Sequence, residues 1–383
     1  MSKDIQDFFT IRMTRALEDN AFATGITIFE IMKIAGRVIA EEIMKFCEKE
    51  SSKSITIFAG YGNNGGDALV AAKLLLDEGF NCFVIVFGKK DKFDSLASQQ
   101  NFELLRKSLP KDNWFFVQEA EDFEKIPKKV LNVDIFLDAL LGIGVIGKLR
   151  EPVKTAIEFL NSSHQNKIIA LDIPSGYNPE KENEQYVKNP NLIICLGRNK
   201  IRKNDFLEAK VVIRDIGLPA DSETHVGVGD LKWFYPTRRL NSHKRENGVV
   251  TIIAGSKDYI GAPALVGLGA FRTGADLILI LTPADIRNTV SSYLPDFITI
   301  PATEGEITPN DIEKIFNHHR TKDSAYAIGP GMIESQITKD TLLEFLKSRD
   351  PKQVVIDAGA LSSIEKEHLF LLKYHKSILT PHR

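Results

Sequence analysis

The sequence predicts an α/β chain built on doubly wound parallel sheets, and three observations carry that prediction. Short continuous apolar runs rich in Val, Ile and Phe alternate with segments of helical periodicity. The runs lack the apolar–polar alternation of a strand with one wet face, so both sheet faces are covered, as in parallel sheets. A loop with four glycines in eight residues, Gly60-Tyr61-Gly62-Asn63-Asn64-Gly65-Gly66-Asp67, joins the first run to a helix.

Residues 4–48 carry apolar positions at helical spacing, interrupted by Ala23-Thr24-Gly25, which predicts two helices before the first strand. Ile55-Thr56-Ile57-Phe58 reads as that strand, and the glycine loop leads into a helix that Gly79 stops. A second strand over 83–86 completes one βαβ unit. The rhythm continues with a helix near 95–108, a strand over 134–137, a helix opened by Glu151-Pro152 and a strand over 168–171. Short strands follow at 192–195 and 211–213. Pro219, Pro236 and the charged stretch from Arg238 to Glu246 interrupt the pattern, which places domains at 1–225 and 226–383. The second domain resumes with strands over 249–254, 277–281, 325–328, 354–357 and 377–379. It looks unfinished, because the chain stops at Arg383 just as Thr380-Pro381-His382 begins a loop beyond a strand.

A length of 383 residues allows two or three domains with proper cores. With 49 Lys+Arg against 51 Asp+Glu, the net charge of -2 gives no footprint for nucleic acid or an anionic membrane. Cys47, Cys82 and Cys195 are far apart without C-x-x-C spacing, which argues against a disulfide framework or a thiolate metal site. No apolar run reaches the roughly 18 residues of a membrane span. A soluble cytoplasmic protein is expected, and the N-terminal helical pair offers a surface for a homo-oligomer.

Ligands of an open parallel sheet bind beyond the carboxyl ends of the strands, so the loops after strands hold the candidates. The glycine loop is the first. The second runs from Asp138 through Gly142, Gly144 and Gly147 to Pro152, and the third is Asp172-Ile173-Pro174-Ser175-Gly176. A rival reading is an NADP-dependent Rossmann oxidoreductase, since Gly60, Gly62 and Gly65 spell G-x-G-x-x-G between strand and helix. Against it, the second strand ends in Gly88-Lys89-Lys90, not in an acid for a ribose hydroxyl, which at best suits a 2′-phosphate. Asp67 also sets a negative charge where a pyrophosphate would meet the helix N-terminus.

The stretches GYGNNGGDALVAAKLL, DALLGIGVIGKLREP and ALDIPSG, in that order within residues 10–218, resemble the NAD(P)H-hydrate epimerase family. The resemblance implies a Rossmann-like fold whose loop Asn63, Asn64, Gly65, Gly66 and Asp67 binds the hydrated nucleotide. It makes Gly142, Ile143, Gly144, Val145, Ile146, Gly147 and Lys148 a substrate-binding loop and puts Asp172 at the substrate. It also implies a potassium (K+) site of Asn64, Asp138 and Ser175. Departures are Met32-Lys33-Ile34-Ala35-Gly36 for a usual Met-Glu-Asn-Ala-Gly, Ile143 for a common Thr, and Ala68 for a frequent Gly.

The residue types suit that chemistry. The hydrates, NADHX and NADPHX, carry a hydroxyl on ring carbon 6, and interconverting their epimers needs the C–O bond or the neighbouring ring bond to break reversibly. A carboxyl held at a strand end, as Asp172 is before Pro174, can transfer the proton. A lone aspartate there more often caps a turn; the three loops together give it a chemical role. Retention of Asn64, Asp67, Asp138 and Asp172 also speaks against a non-catalytic protein- or RNA-binding adaptor of the same fold.

In the second half, Ser242-His243-Lys244, the run from Val249 to Ser256, Tyr259-Ile260-Gly261-Ala262, Ile328-Gly329-Pro330-Gly331 and Thr380-Pro381-His382 resemble the ribokinase-like ADP-dependent NAD(P)H-hydrate dehydratase family. That resemblance puts Ala262, Gly331 and His382 at the hydrated cofactor and makes ADP the co-substrate. The family's glycine-rich nucleotide loop and catalytic aspartate are not found in the sequence, so dehydration is expected to be incomplete here. The whole reads as an isomerase joined to a lyase for metabolite repair.

Overall fold

The helical spacing before the first strand becomes α1 (Ile11–Ala23), where the Thr10 side chain accepts from Met13 N at 3.1 Å, and α2 (Ile28–Glu50). The computed structural model describes all residues except 1–7, 51, 89–91, 145–147, 182–183, 236, 319–320, 322–323, 349–352, 367–371, 373–376 and 383. The chain forms two compact units, Met1–Tyr235 and Pro236–Arg383.

In the first unit, β1 (Ser54–Ala59), α3 (Asn63–Asp77) and β2 (Asn81–Phe87) form the βαβ unit read from the sequence. Next come α4 (Leu96–Arg106), β3 (Trp114–Val117), the short α5 (Ala120–Glu124) and α6 (Lys128–Leu131), and β4 (Ile135–Ala139). The unit continues with α7 (Val153–Ser162), β5 (Lys167–Leu171), β6 (Leu192–Leu196), β7 (Lys210–Arg214), α8 (Asp221–Thr224) and α9 (Val228–Phe234). The strand order is β3-β2-β1-β4-β5-β6-β7 with every pair parallel. The order reverses between β1 and β4, which opens a crevice beyond their carboxyl ends.

Both faces are covered, which is why β1 reads as a continuous apolar run. Ile55, Ile57 and Ala59 pack on one face with Ile39, Leu69 and Ala72 of α2 and α3. Phe58 points to the other, with ring centroids 5.7 Å from Phe87, 5.3 Å from Phe136 and 6.0 Å from Phe159. Burying one such ring stabilises by about 1.5–3 kcal/mol.

The second unit contains β8 (Val249–Ile253), α10 (Gly261–Arg272), β9 (Leu277–Thr282), α11 (Arg287–Ser292), β10 (Phe297–Pro301) and α12 (Pro309–Phe316). It continues with β11 (Ala325–Ile328), α13 (Gln336–Ser348), β12 (Val354–Ile356), α14 (Ala358–Ser362) and β13 (Ile378–Leu379). Its order, β10-β9-β8-β11-β12-β13, is again parallel and reverses between β8 and β11.

The structure departs from the sequence reading in three places. β3 and β10 extend the sheets where no strand was expected. The strand expected at 134–137 starts at Ile135 and ends at Ala139; Asp134 stands outside it, taking the Ser52 and Ser54 hydroxyls at 2.8 and 2.7 Å. The units divide after Tyr235, not after residue 225, because α9 packs on α1. Gly229 N donates to Asn20 Oδ1 at 2.7 Å, and Trp233 Nε1 to Asp19 Oδ2 at 2.6 Å.

Candidate active site

The crevice between β1 and β4 is a cavity of about 840 Å³, and all three loops singled out in the sequence reach it. Asn63 and Asn64 line it from the first turn of α3, whose N-cap is Gly62, and Asp67 from the next turn. That N-terminus presents unpaired backbone N–H groups and the positive end of the helix dipole. Gly142, Ile143, Gly144 and Lys148 line it after β4, and Arg15 of α1 holds this loop by donating from Nη2 to the Ile143 carbonyl at 3.3 Å. Val145, Ile146 and Gly147 lie outside the described residues.

Gly65 and Gly66 are buried and have a packing role. A Cβ on Gly65 would overlap the Gly60 carbonyl, and one on Gly66 would overlap Ser98 Oγ and the Met32 thioether. These glycines let α3 start against the β1 loop, which is what aims Asn64 and Asp67 into the cavity.

Asp172 follows β5 with φ 64, a left-handed conformation that aspartate tolerates better than bulkier residues. Its backbone N donates to Ile194 O at 2.8 Å, and its Oδ1 accepts from Leu196 N at 3.2 Å and from Lys200 Nζ at 2.5 Å. Lys200 Nζ also donates to Leu196 O at 2.6 Å, and both members of the pair line the cavity. Burial works against the Lys200 ammonium, yet the Asp172 carboxylate, Cys195 and Glu18 together outweigh this and hold the lysine's pKa above its usual value.

Two further carboxyls share this space. Burial pushes Glu18 of α1 up to about 7, with Lys200 and Arg15 pulling it down and Asp172 and Asp19 pushing it further up. Burial also raises Asp67 well above the carboxylate range, reinforced by Asp172 and Glu18. Both keep part of their surface open to the cavity.

Asn64, Asp138 and Ser175 come together behind that floor. Asp138 is fully buried in β4; its carboxylate accepts from Ser175 Oγ at 2.5 Å, Ser175 N at 2.8 Å and Leu140 N at 3.4 Å. Burial raises its pKa to about 6 against the opposing pull of these bonds. Asn64 Nδ2 donates to Leu141 O at 3.1 Å, while the buried Asn64 Oδ1 has no partner among the described residues. One carboxylate with neutral oxygens fits a monovalent hard cation better than a divalent transition metal.

In the second unit, Gly331 has φ 69 and a Cβ there would stand 2.8 Å from Ala262 Cβ, so these two residues meet beyond β11. His382 is exposed after β13. Thr380 Oγ1 donates to Asp357 Oδ1 at 2.7 Å, tying the strand-end loops together.

Sequence reading missed Lys200 and Glu18. Lys200 lies 28 residues from its partner, and nothing local distinguishes it from surface lysines. Glu18 carried a signal: it follows Thr14, Leu17 and precedes Ala21 on a buried helix stripe where a solvated acid does not belong.

Family models match segments of both units. The family described as YjeF-related protein N-terminus matches residues 29–201, and the family described as NAD(P)H-hydrate dehydratase matches 250–383. A bifunctional NAD(P)H-hydrate repair enzyme from Methanothermobacter thermautotrophicus is 34% identical over 98% of this chain and 72% of its own length. One of the same name from Archaeoglobus fulgidus is 33% identical over 98% and 75%. Among solved structures, an ADP/ATP-dependent NAD(P)H-hydrate dehydratase from Bacillus subtilis is 31% identical, covering 33% of this chain and 42% of its own, with a TM-score of 0.28.

Proposed function

The chain belongs to the family of bifunctional NAD(P)H-hydrate repair enzymes, and from that premise we propose that the cavity of the first unit interconverts the C6 epimers of NADHX and NADPHX. The observation that carries this reading is the Asp172–Lys200 ion pair lining a cavity at the crossing point of a doubly wound sheet. The cations Arg15, Lys148 and Arg150 on the lining suit a ligand that carries phosphates. Inversion at C6 by loss and return of the hydroxyl requires a proton on the departing oxygen and removal of one from the returning water. Asp172, ion-paired to Lys200, takes the second proton.

Potassium is the cation we assign to Asn64, Asp138 and Ser175, on the strength of the orphaned Asn64 Oδ1 and the single buried carboxylate. Bound there, it would supply a fixed positive charge beside Asn64 and Asp138. For the second unit we propose part of the machinery for ADP-dependent dehydration of the S epimer, with Ala262, Gly331 and His382 toward the hydrated cofactor; the glycine-rich nucleotide loop and catalytic aspartate of that reaction do not occur in this sequence. We place the enzyme in the cytoplasm; no described helix is long and apolar enough to cross a membrane.

The test is to incubate one purified hydrate epimer with the protein in potassium buffer and follow the other by chromatography. Asp172→Asn keeps the shape and removes the proton carrier, so the rate should fall by about 10²–10⁴ while the melting temperature stays near that of the parent. Near-parental turnover by a folded Asp172→Asn protein rejects the assignment.

A further inference from the structure

Glu18 is a costly residue for α1 to carry. Its neighbour Asp19 is satisfied, by Trp233 Nε1 at 2.6 Å and Lys232 Nζ at 2.9 Å. Glu18 has no hydrogen-bonded partner among the described residues, yet it lies within the protein and faces the cavity. A half-buried carboxyl without partners gives up hydration uncompensated, so its place beside the buried Thr14, Leu17 and Ala21 points to a use other than stability. It enters the cavity from a helix that precedes the sheet, whereas Asp172 enters from the end of β5.

Resting on the epimerase reading above, we propose that Glu18 is the second proton-transfer residue, protonating the C6 hydroxyl from one ring face while Asp172 serves the other. The step balances without any oxidant or reductant. The C6–O electron pair leaves with the oxygen, which takes the Glu18 proton and departs as water, and the ring nitrogen lone pair forms C6=N1. Water then adds to the opposite face; its oxygen forms the new C6–O bond and its proton passes to Asp172. The reverse conversion uses the two carboxyls in exchanged roles. The surroundings divide these roles: Asp172 is paired to Lys200, and Glu18 keeps a proton up to about pH 7. The charged groups acting on Glu18 are Arg15 and Asp19 of α1, Asp67 of α3, Asp172 after β5 and Lys200 after β6.

The experiment compares the parent, Glu18→Gln, Glu18→Asp and Asp172→Asn in full-length protein, measuring kcat/KM for epimerisation from pH 5 to 9, with melting checked for each. The parent should lose activity as pH rises through about 7, where Glu18 gives up its proton. Glu18→Gln should fall at least 10²-fold and lose that alkaline limb. Glu18→Asp should recover part of the rate and keep an alkaline limb. A folded Glu18→Gln protein with parental rate and an unchanged alkaline limb overturns the proposal, as does a Glu18→Asp protein no faster than Glu18→Gln. If Glu18 only packed the helix, both variants would change stability and leave the pH profile in place. The epimerase reading fails separately, by a parent that does not epimerise or an active Asp172→Asn.

Discussion

In the first unit, the crossing point between β1 and β4 faces Glu18, Asp67, Asp172 and Lys200, whereas in the second the point between β8 and β11 is edged by Ala254, Gly255, Ser256, Gly329 and Gly331. Apart from β7, the strand order on either side of the two crossing points is the same, so the difference does not come from the sheet. It comes from what is added around it. Lys200 arrives from the connection after β6 and Glu18 from a helix ahead of the first strand. The sheet supplies a crevice, helix N-termini and two of the carboxyls, Asp67 from α3 and Asp172 from the end of β5; Glu18 and Lys200 are grafted from segments around that βαβ frame.

Breaking the ion pair is the harshest way to probe that difference. Lys200→Met leaves Asp172 buried without its cation, and removing one partner of a buried pair costs about 3–5 kcal/mol. In a thermal scan the loss should fall on the transition of the first unit and spare that of the second. Adding Asp172→Asn to Lys200→Met removes the stranded charge and should restore much of the stability while leaving the epimerase inactive. A double variant no more stable than Lys200→Met would mean the pair contributes little beyond packing.

The glycines sharpen the comparison, because each crossing point needs one for close backbone approach. Gly65→Ala drives a methyl into the Gly60 carbonyl, at about 1–3 kcal/mol, partly offset by about 1 kcal/mol of helix propensity. Gly329 meets the Asp357 carbonyl in the same way and also has φ 111, so Gly329→Ala adds about 1–2 kcal/mol of backbone strain with no propensity gain. Denaturant midpoints of the two variants should therefore rank Gly329→Ala as the more damaging. The opposite order would show that the start of α3 is the tighter of the two turns.

What the sequence made legible follows from how far each signal reaches along the chain. Strands such as Ile55–Phe58 and the loops at Asn63, Asp138 and Asp172 are local patterns, and the structure gathers those loops around one crevice. β3 escaped because Trp114–Val117 is four residues whose partners lie on β2. The Lys200–Asp172 contact and the α1–α9 seam were illegible because each joins residues distant in sequence. Gly65 and Gly66 read from sequence as ligand-cradling glycines, and the fold adds a packing reason that only three-dimensional contacts reveal.

The α1–α9 seam supports the smallest and most local prediction. Trp233 does two things there: its Nε1 donates to Asp19 at 2.6 Å, and its ring lies 4.7 Å from the Arg15 guanidinium that holds the Ile143 loop. Trp233→Phe removes the donor and keeps an aromatic face, and Asp19 retains Lys232 at 2.9 Å. The hydrogen bond is only partly buried, so its loss should cost about 1 kcal/mol. If α9 merely covers α1, turnover should be unchanged and only the melting temperature of the first unit should drop. If α9 steadies the helix that carries Arg15 and Glu18, KM for the hydrate should rise with kcat little altered, because Arg15 anchors the loop on the cavity wall. Measuring kcat and KM together with melting separates these outcomes. An unchanged KM and melting temperature would show that the seam marks where the first unit ends without contributing to its site.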